Sequence, residues 1–168
     1  MLYDCRTRDT EKSEILIIGS KTIWEFAQER RDRMYQAILF VGVGFDIGDD
    51  LPTALENEAV LWLITALNVS IDSPEFGISI EIDRLRYSKV IVLTDDSVEG
   101  RETRQQVFSF FYTYQRGLLA TGRVFVPTGL LAADLSADAF DKLAMLSSRS
   151  IRPVADLGSL SVTLASLP

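Results

Sequence analysis

The sequence predicts an α/β fold in which a mainly parallel sheet of four strands has helices on both faces. Four short apolar runs, at 14–18, 37–43, 90–93 and 123–126, alternate with stretches of helical periodicity. Strands separated by helices pair in parallel, and buried parallel strands are apolar along their whole length. With 168 residues, 47% of them hydrophobic, the chain can fill one real core.

The helices are predicted from apolar spacing and from capping residues. Thr22 and Glu25 form a capping-box pattern before the first helix, and Gly122 follows the longest one in the manner of a C-cap. We predict helices over 23–36, 53–69, 101–119 and 136–146.

The remaining stretches lack clear periodicity. Residues 1–13 are a charged lead-in, and 70–88 are predicted to be irregular with a short strand. The alternation after the last helix fits either an edge strand or a tail that contacts a partner. We expect one domain over 1–154 and a C-terminal tail over 155–168.

Composition excludes several classes of chemistry. The chain has no histidine, which rules out Ser-His-Asp and Cys-His catalysis and the usual zinc sites. Cys5 is the single cysteine, so it forms no internal disulfide and is expected to be a buried small residue. No apolar run is long enough to span a membrane, and the first residues lack a signal-peptide layout. We therefore expect a cytoplasmic protein without a membrane contact.

The strand over 90–93 ends in an acidic cluster that is the main candidate for a site. Asp95, Asp96 and Glu99 follow this strand directly. Open α/β sheets bind ligands at the carboxyl ends of their strands, and carboxylate oxygens suit Mg²⁺. These three residues are therefore the candidate metal ligands, and Mg²⁺ is the candidate ion.

Several segments together resemble the Toprim domain of bacterial gyrase B and topoisomerase IV B subunits. The resemblance lies, in order, in LYDCRTRDTEKSEILII, RRDRMYQAIL, NEAVLWLITALN, LRYSKVIVLTDDSVEG, FSFFYTYQRGLLATGRVFV and SADAFDKLAML. It covers most of residues 1–154 and implies a Toprim-like, Rossmann-like fold. For the family it implies DNA topoisomerase activity with divalent metal at the cleavage site.

The chain departs from this family at the catalytic positions. The family's catalytic glutamate falls on Gly19, which has no proton to give or take. Of the three acidic positions in the family's second motif, Asp95 is kept, the middle one is Ser97, and Glu99 replaces the third. A two-metal site needs ligands on both sides of the ions, and one side here is glycine.

Positions expected to face DNA are altered as well. The family's lysine-bearing segment PLKGKILNV corresponds to FVGVGFDIG, and its two histidines correspond to Ser88 and Glu102. Losing cations and gaining anions weakens phosphate binding, as does a net charge of −7. We therefore predict a degenerate, non-enzymatic Toprim-like domain without a cofactor, acting as a structural or protein-interaction module through a protein partner or self-association.

Three alternatives stay open. Asp95, Asp96 and Glu99 could form a rearranged single-metal site. The segment TDDSVEGRET also resembles the phosphoribosyl-binding loop of phosphoribosyltransferases, although its spacing differs. Finally, the domain could bind DNA weakly through basic residues beside the former site, which otherwise are ordinary solvated helix charges: Lys21, Arg30, Arg31, Arg33, Arg101 and Arg104.

Overall fold

The structure is a computed structural model that describes residues 1–42, 44–72, 79, 81–95, 97–127 and 151–153. Its sheet has six strands in the order β1-β3-β2-β4-β5-β6, and the middle four are parallel. The two edge strands β1 and β6 pair antiparallel. The predicted four-stranded parallel sheet is therefore confirmed and extended by one strand at each edge. The strands are β1 (Leu2–Tyr3), β2 (Glu14–Ile18), β3 (Gln36–Phe40), β4 (Lys89–Leu93), β5 (Val124–Pro127) and β6 (Ile151–Pro153).

Helices cover both faces of the sheet, as predicted. Alternate residues of β2 point to opposite sides: Ile15 and Ile17 belong to one apolar cluster, and Leu16 and Ile18 to the other. Helix α1 packs against the second cluster, whereas α3, α4 and α5 pack against the first. The helices are α1 (Lys21–Arg30), α2 (Leu51–Glu56), α3 (Glu58–Leu67), α4 (Val98–Tyr114) and α5 (Arg116–Ala120), with a short 3-10 helix at Ile82–Arg84.

The first predicted helix is displaced and too long. Ser20, rather than Thr22, caps α1 by accepting a hydrogen bond from the Ile23 amide at 3.3 Å. The helix ends at Arg30 rather than 36 because the chain then turns around Asp32, whose carboxylate accepts from the Met34 amide at 2.8 Å. A charged run can continue a helix or form a turn. Here the turn forms because the Asp32 side chain bonds to the backbone two residues further on.

The second and third predicted helices are each interrupted. The Asn57 side chain accepts from the Ala59 amide at 2.9 Å, which caps a new helix, so 53–69 is divided between α2 and α3. Gln115 leaves helical geometry at φ −140° and separates α4 from α5 within the predicted 101–119. Gly122 adopts φ +68° just after α5, which agrees with the predicted C-cap.

The charged lead-in contributes an edge strand that the sequence did not reveal. Leu2 and Tyr3 pair with Leu39 and Ile38. Cys5, which follows, is buried at 5% exposure, as predicted.

Asp4 attaches this amino-terminal segment to the rest of the fold. Its carboxylate pairs with the Arg86 guanidinium and accepts from the Tyr87 hydroxyl at 3.3 Å. Burial opposes ionisation of Asp4, but the hydrogen bond and charge of Arg86 hold the pKa of this carboxyl below its usual value. The Arg8 guanidinium, 3.4 Å from the same carboxylate, acts in the same direction.

Some predictions concern residues that the structure does not describe. The helix over 136–146 and the tail over 155–168 lie outside the described residues. Of the stretch 70–88, the described part contains only the 3-10 helix. Within the described ranges, no helix has the length and apolar character needed to cross a bilayer.

Candidate functional site

The candidate site lies at the carboxyl ends of β2 and β4. These strands are neighbours in register, since Ile18 pairs with Leu93 and the Gly19 amide donates to the Leu93 carbonyl at 3.1 Å. After β2 the chain enters α1 on one face of the sheet, and after β4 it enters α4 on the other. The two connections diverge there, which makes this the crevice where open α/β sheets bind ligands.

The space beside Gly19 is filled by methyl groups. A Cβ placed on Gly19 would lie 2.8 Å from Cγ2 of Thr94 and 2.9 Å from Cγ2 of Thr103. Real Cβ atoms do not approach other carbons so closely, so any side chain at this position requires both threonines to move. The position to which the resemblance assigns the family's catalytic glutamate therefore has no side chain and no space for one.

Hydrogen bonds fix both threonines in place. The Arg104 guanidinium donates through Nε to Oγ1 of Thr94 at 2.7 Å and through a terminal nitrogen to the Asp95 carbonyl at 3.2 Å. Thr103 donates to the Gly42 carbonyl at 3.4 Å. Threonine is already stiff at χ1. Rotation that cleared the space at Gly19 would also break these bonds.

Asp95 takes part in the start of α4. Its Oδ1 accepts from the Ser97 amide at 3.2 Å and from the Ser97 hydroxyl, and the Ser97 oxygen in turn accepts from the Gly100 amide at 3.0 Å. This is helix capping with the aspartate supporting the cap. A Cβ at Gly100 would collide with the carboxylate and carbonyl oxygens of Asp95, so this helix turn requires glycine.

The described donors do not fit a two-metal centre. Asp95 is half-buried, and its carboxylate bonds to Ser97 in the cap of α4. Glu99 is exposed, and Asp96 lies outside the described residues. Among the residues whose positions are described, no three carboxylate or thiol side chains come together in a group that could hold a metal ion. Gly19, on the opposite side of the crevice, offers no ligand atom.

The six candidate DNA-binding residues do not lie together. Lys21, Arg101 and Arg104 are at the carboxyl end of the sheet, at the starts of α1 and α4. Arg30, Arg31 and Arg33 are at the far end of α1, which at ten residues is about 15 Å long. The six predicted basic residues are therefore divided between two ends of the sheet and do not form one surface.

At least two of these six residues, Arg31 and Arg104, form hydrogen bonds inside the protein. Arg104 is only 3% exposed and holds Thr94, as described above. Arg31 is half-buried, and its guanidinium donates to the carbonyl of Asp4 at 3.2 Å and to that of Gln36. Lys21 is exposed and lies 3.9 Å from Glu25 within α1, an ion pair that contributes little.

Thr103 was not among the predicted site residues, and Arg104 was predicted as a DNA contact rather than as part of the crevice wall. A signal was present, because the buried residues Gly100, Thr103, Arg104 and Val107 of α4 are spaced at i, i+3, i+4 and i+7. Two polar residues in such a stripe are expected to point inward with hydrogen-bond partners.

Comparisons with known proteins find similarity to the B subunit of DNA gyrase. Over 127 residues, 74% of the chain, it is 35% identical to this protein from Helicobacter pylori strain J99, 34% to that from Cytophaga aurantiaca and 33% to that from Thermus thermophilus. The similar region spans only 16%, 27% and 20% of those three proteins. No protein-family model matches the chain.

Proposed function

Because the chain is related by sequence to a segment of the DNA gyrase B protein, we propose that it is a catalytically inactive Toprim-like domain. In this proposal it serves as a structural or protein-interaction module and needs no metal ion. Its sheet and helices fit such a domain, and threonine side chains fill the space beside Gly19 in its crevice. A fold does not determine function, so the domain can keep this fold without the family's catalytic activity.

The observation that supports this most is the closed space at Gly19. Loss of the glutamate alone would leave a gap that a neighbouring carboxylate could occupy. Here the methyl groups of Thr94 and Thr103 occupy it, and Arg104 braces the first of them. Asp95, the one acidic position kept unchanged, has a structural task in the cap of α4.

A protein partner fits this proposal better than DNA. The relatives are named as subunits, and a domain without chemistry contributes to such an assembly through its surfaces. At least two of the six candidate DNA contacts, Arg31 and Arg104, form hydrogen bonds inside the protein, and the set is divided between two ends of the sheet. Backbone binding depends on several cations acting together. The cytoplasmic location expected from the sequence is part of the same proposal.

Plasmid cleavage tests the proposal. Supercoiled plasmid is incubated with the chain and millimolar Mg²⁺ or Mn²⁺, with and without a gyrase cleavage subunit, and a gyrase B relative serves as the positive control. We expect no nicked, linear or relaxed product above the level given by the Asp95→Ala variant. Metal-dependent cleavage that Asp95→Ala abolishes would refute the proposed function.

A further inference from the structure

Helix α3 has an exposed apolar face in addition to its core face. Its residues Ala59, Val60, Leu63, Ala66 and Leu67 are buried against the sheet. On the other side Leu61 is 43% exposed and Trp62 38%. Large apolar side chains that are exposed side by side on one helix indicate a surface suited to a contact. Tryptophan in particular is enriched among the residues that dominate binding energy at protein interfaces.

The segment of the chain that carries this face is strongly acidic. Residues 34–83 contain nine acidic residues and no lysine or arginine, whereas the rest of the chain has 15 acidic and 17 basic residues. Glu58 lies one turn before Leu61 and Trp62 on α3, at the i and i+3/i+4 spacing of one helix face. Exposed acidic residues also occur on α2 and on the loop before it: Asp46, Asp49, Asp50 and Glu56.

This loop is attached to the same part of the fold. The Asn57 side chain, between α2 and α3, donates to the Gly44 carbonyl at 2.8 Å. The Asp50 carboxylate accepts from the Thr53 amide at 2.8 Å and caps α2. The loop, α2 and the exposed side of α3 are therefore neighbouring parts of the fold, and together they are here termed the α2–α3 surface.

Resting on the proposed function as an interaction module, we propose that the α2–α3 surface binds a basic protein segment with an apolar anchor. Leu61 and Trp62 receive the anchor, and the surrounding carboxylates attract its lysine and arginine side chains. Charge selects this occupant. A second copy on the two-fold axis would place the same acidic surface against itself, and a nucleic-acid backbone is an anion.

A designed peptide is the probe for this interaction. A fluorescein-labelled amphipathic helix of leucine and lysine is titrated with the chain, and anisotropy and Trp emission are recorded. Two matched peptides replace all lysines by glutamate or all leucines by serine. We expect saturable binding of the first peptide only, at least tenfold tighter than either matched peptide, and weakened by salt.

Variants locate the binding to this surface. The double variant Leu61→Ser/Trp62→Ser should weaken binding at least tenfold, and Glu56→Gln/Glu58→Gln several-fold. The matched control Glu25→Gln/Glu29→Gln removes two charges from α1, on the opposite face of the sheet, and should change little. Far-UV circular dichroism confirms that each variant is folded.

Several outcomes would overturn the inference. Equal weakening by the α1 control would show non-specific attraction, and unchanged binding in Leu61→Ser/Trp62→Ser would exclude the apolar anchor. A dimer in sedimentation that this same variant dissociates would assign the surface to a second copy. Each of these leaves the plasmid result untouched, and metal-dependent cleavage would refute the proposed function without altering the peptide titration.

Discussion

At the scale of single residues, the packing around Gly19 restricts the crevice more than the absence of a carboxylate at this position does. A glycine could be a neutral vacancy, open to any side chain. Instead the methyl groups of Thr94 and Thr103 lie 2.8 and 2.9 Å from where a Cβ would stand, and the hydroxyl groups of these threonines bond to the Gly42 carbonyl and to Arg104. Restoring a glutamate by itself is therefore expected to disturb the crevice rather than to rebuild it.

This close packing can be measured with a pair of glycine variants. Gly19→Ala should lower the free energy of unfolding by about 1–3 kcal/mol, the usual cost of overpacking. Gly44→Ala, whose Cβ would meet nothing within 4 Å, should stay within about 0.5 kcal/mol of the parent chain. Urea unfolding compares the two. Equal stability of Gly19→Ala and Gly44→Ala would mean that the crevice is open.

A second pair of variants separates the capping role of Asp95 from metal binding. Asp95→Asn keeps an oxygen acceptor for Ser97 and should cost less than about 0.5 kcal/mol, whereas Asp95→Ala removes it and should cost about 1 kcal/mol. Thermal unfolding with and without Mg²⁺ checks both values. Stabilisation of the parent chain by Mg²⁺ that both variants abolish would identify Asp95 as a ligand.

At the scale of elements, strands were predictable from the sequence and helix breaks were not. The apolar runs of β2 and β4 are flanked by polar residues, so the positions of these strands can be predicted from the sequence. Helix ends depend on single residues such as Ser20, Asn57 and Gln115. Whether such a residue caps, interrupts or continues a helix is determined by tertiary contacts, which a local sequence pattern does not contain. Strand β1 is only two residues long, and its pairing with β3 is a long-range contact that no local pattern announces.

The attachment of this amino-terminal element should depend on pH. Folding lowers the pKa of Asp4, so its stabilising effect is complete above the carboxyl group's ordinary pKa of about 4 and is lost as pH falls through the lower folded value. Since the Asp4 and Arg86 side chains are about one-third exposed, 33% and 30%, we expect Asp4→Asn to cost only about 1–2 kcal/mol at pH 7.

The measurement is urea unfolding between pH 2 and pH 7. The difference between the parent chain and Asp4→Asn should shrink below pH 4, and the control Glu29→Gln, an exposed position on α1, should follow the parent throughout. A difference of constant size across this range would show that the ionised carboxylate is not what stabilises β1.

At the scale of the whole molecule, the sequence predicted the architecture well and the site only in part. Apolar periodicity determines the sheet and its two helix-covered faces, because burial acts on many residues at once. The site depends on a few positions. The glycine at position 19 was visible in the sequence, but the threonine wall was not, since the contact joins Gly19 and Thr103 across 84 positions of the chain.

The most direct test of the proposal that this domain is inactive and needs no metal ion is a calorimetric titration of the chain with Mg²⁺ and with Mn²⁺. An inactive domain with a closed crevice predicts no saturable heat at millimolar metal, and traces that coincide with those of Asp95→Ala. Saturable binding of either metal ion by the parent chain, lost in Asp95→Ala, would contradict the proposal and would identify the residues after β4 as a metal site.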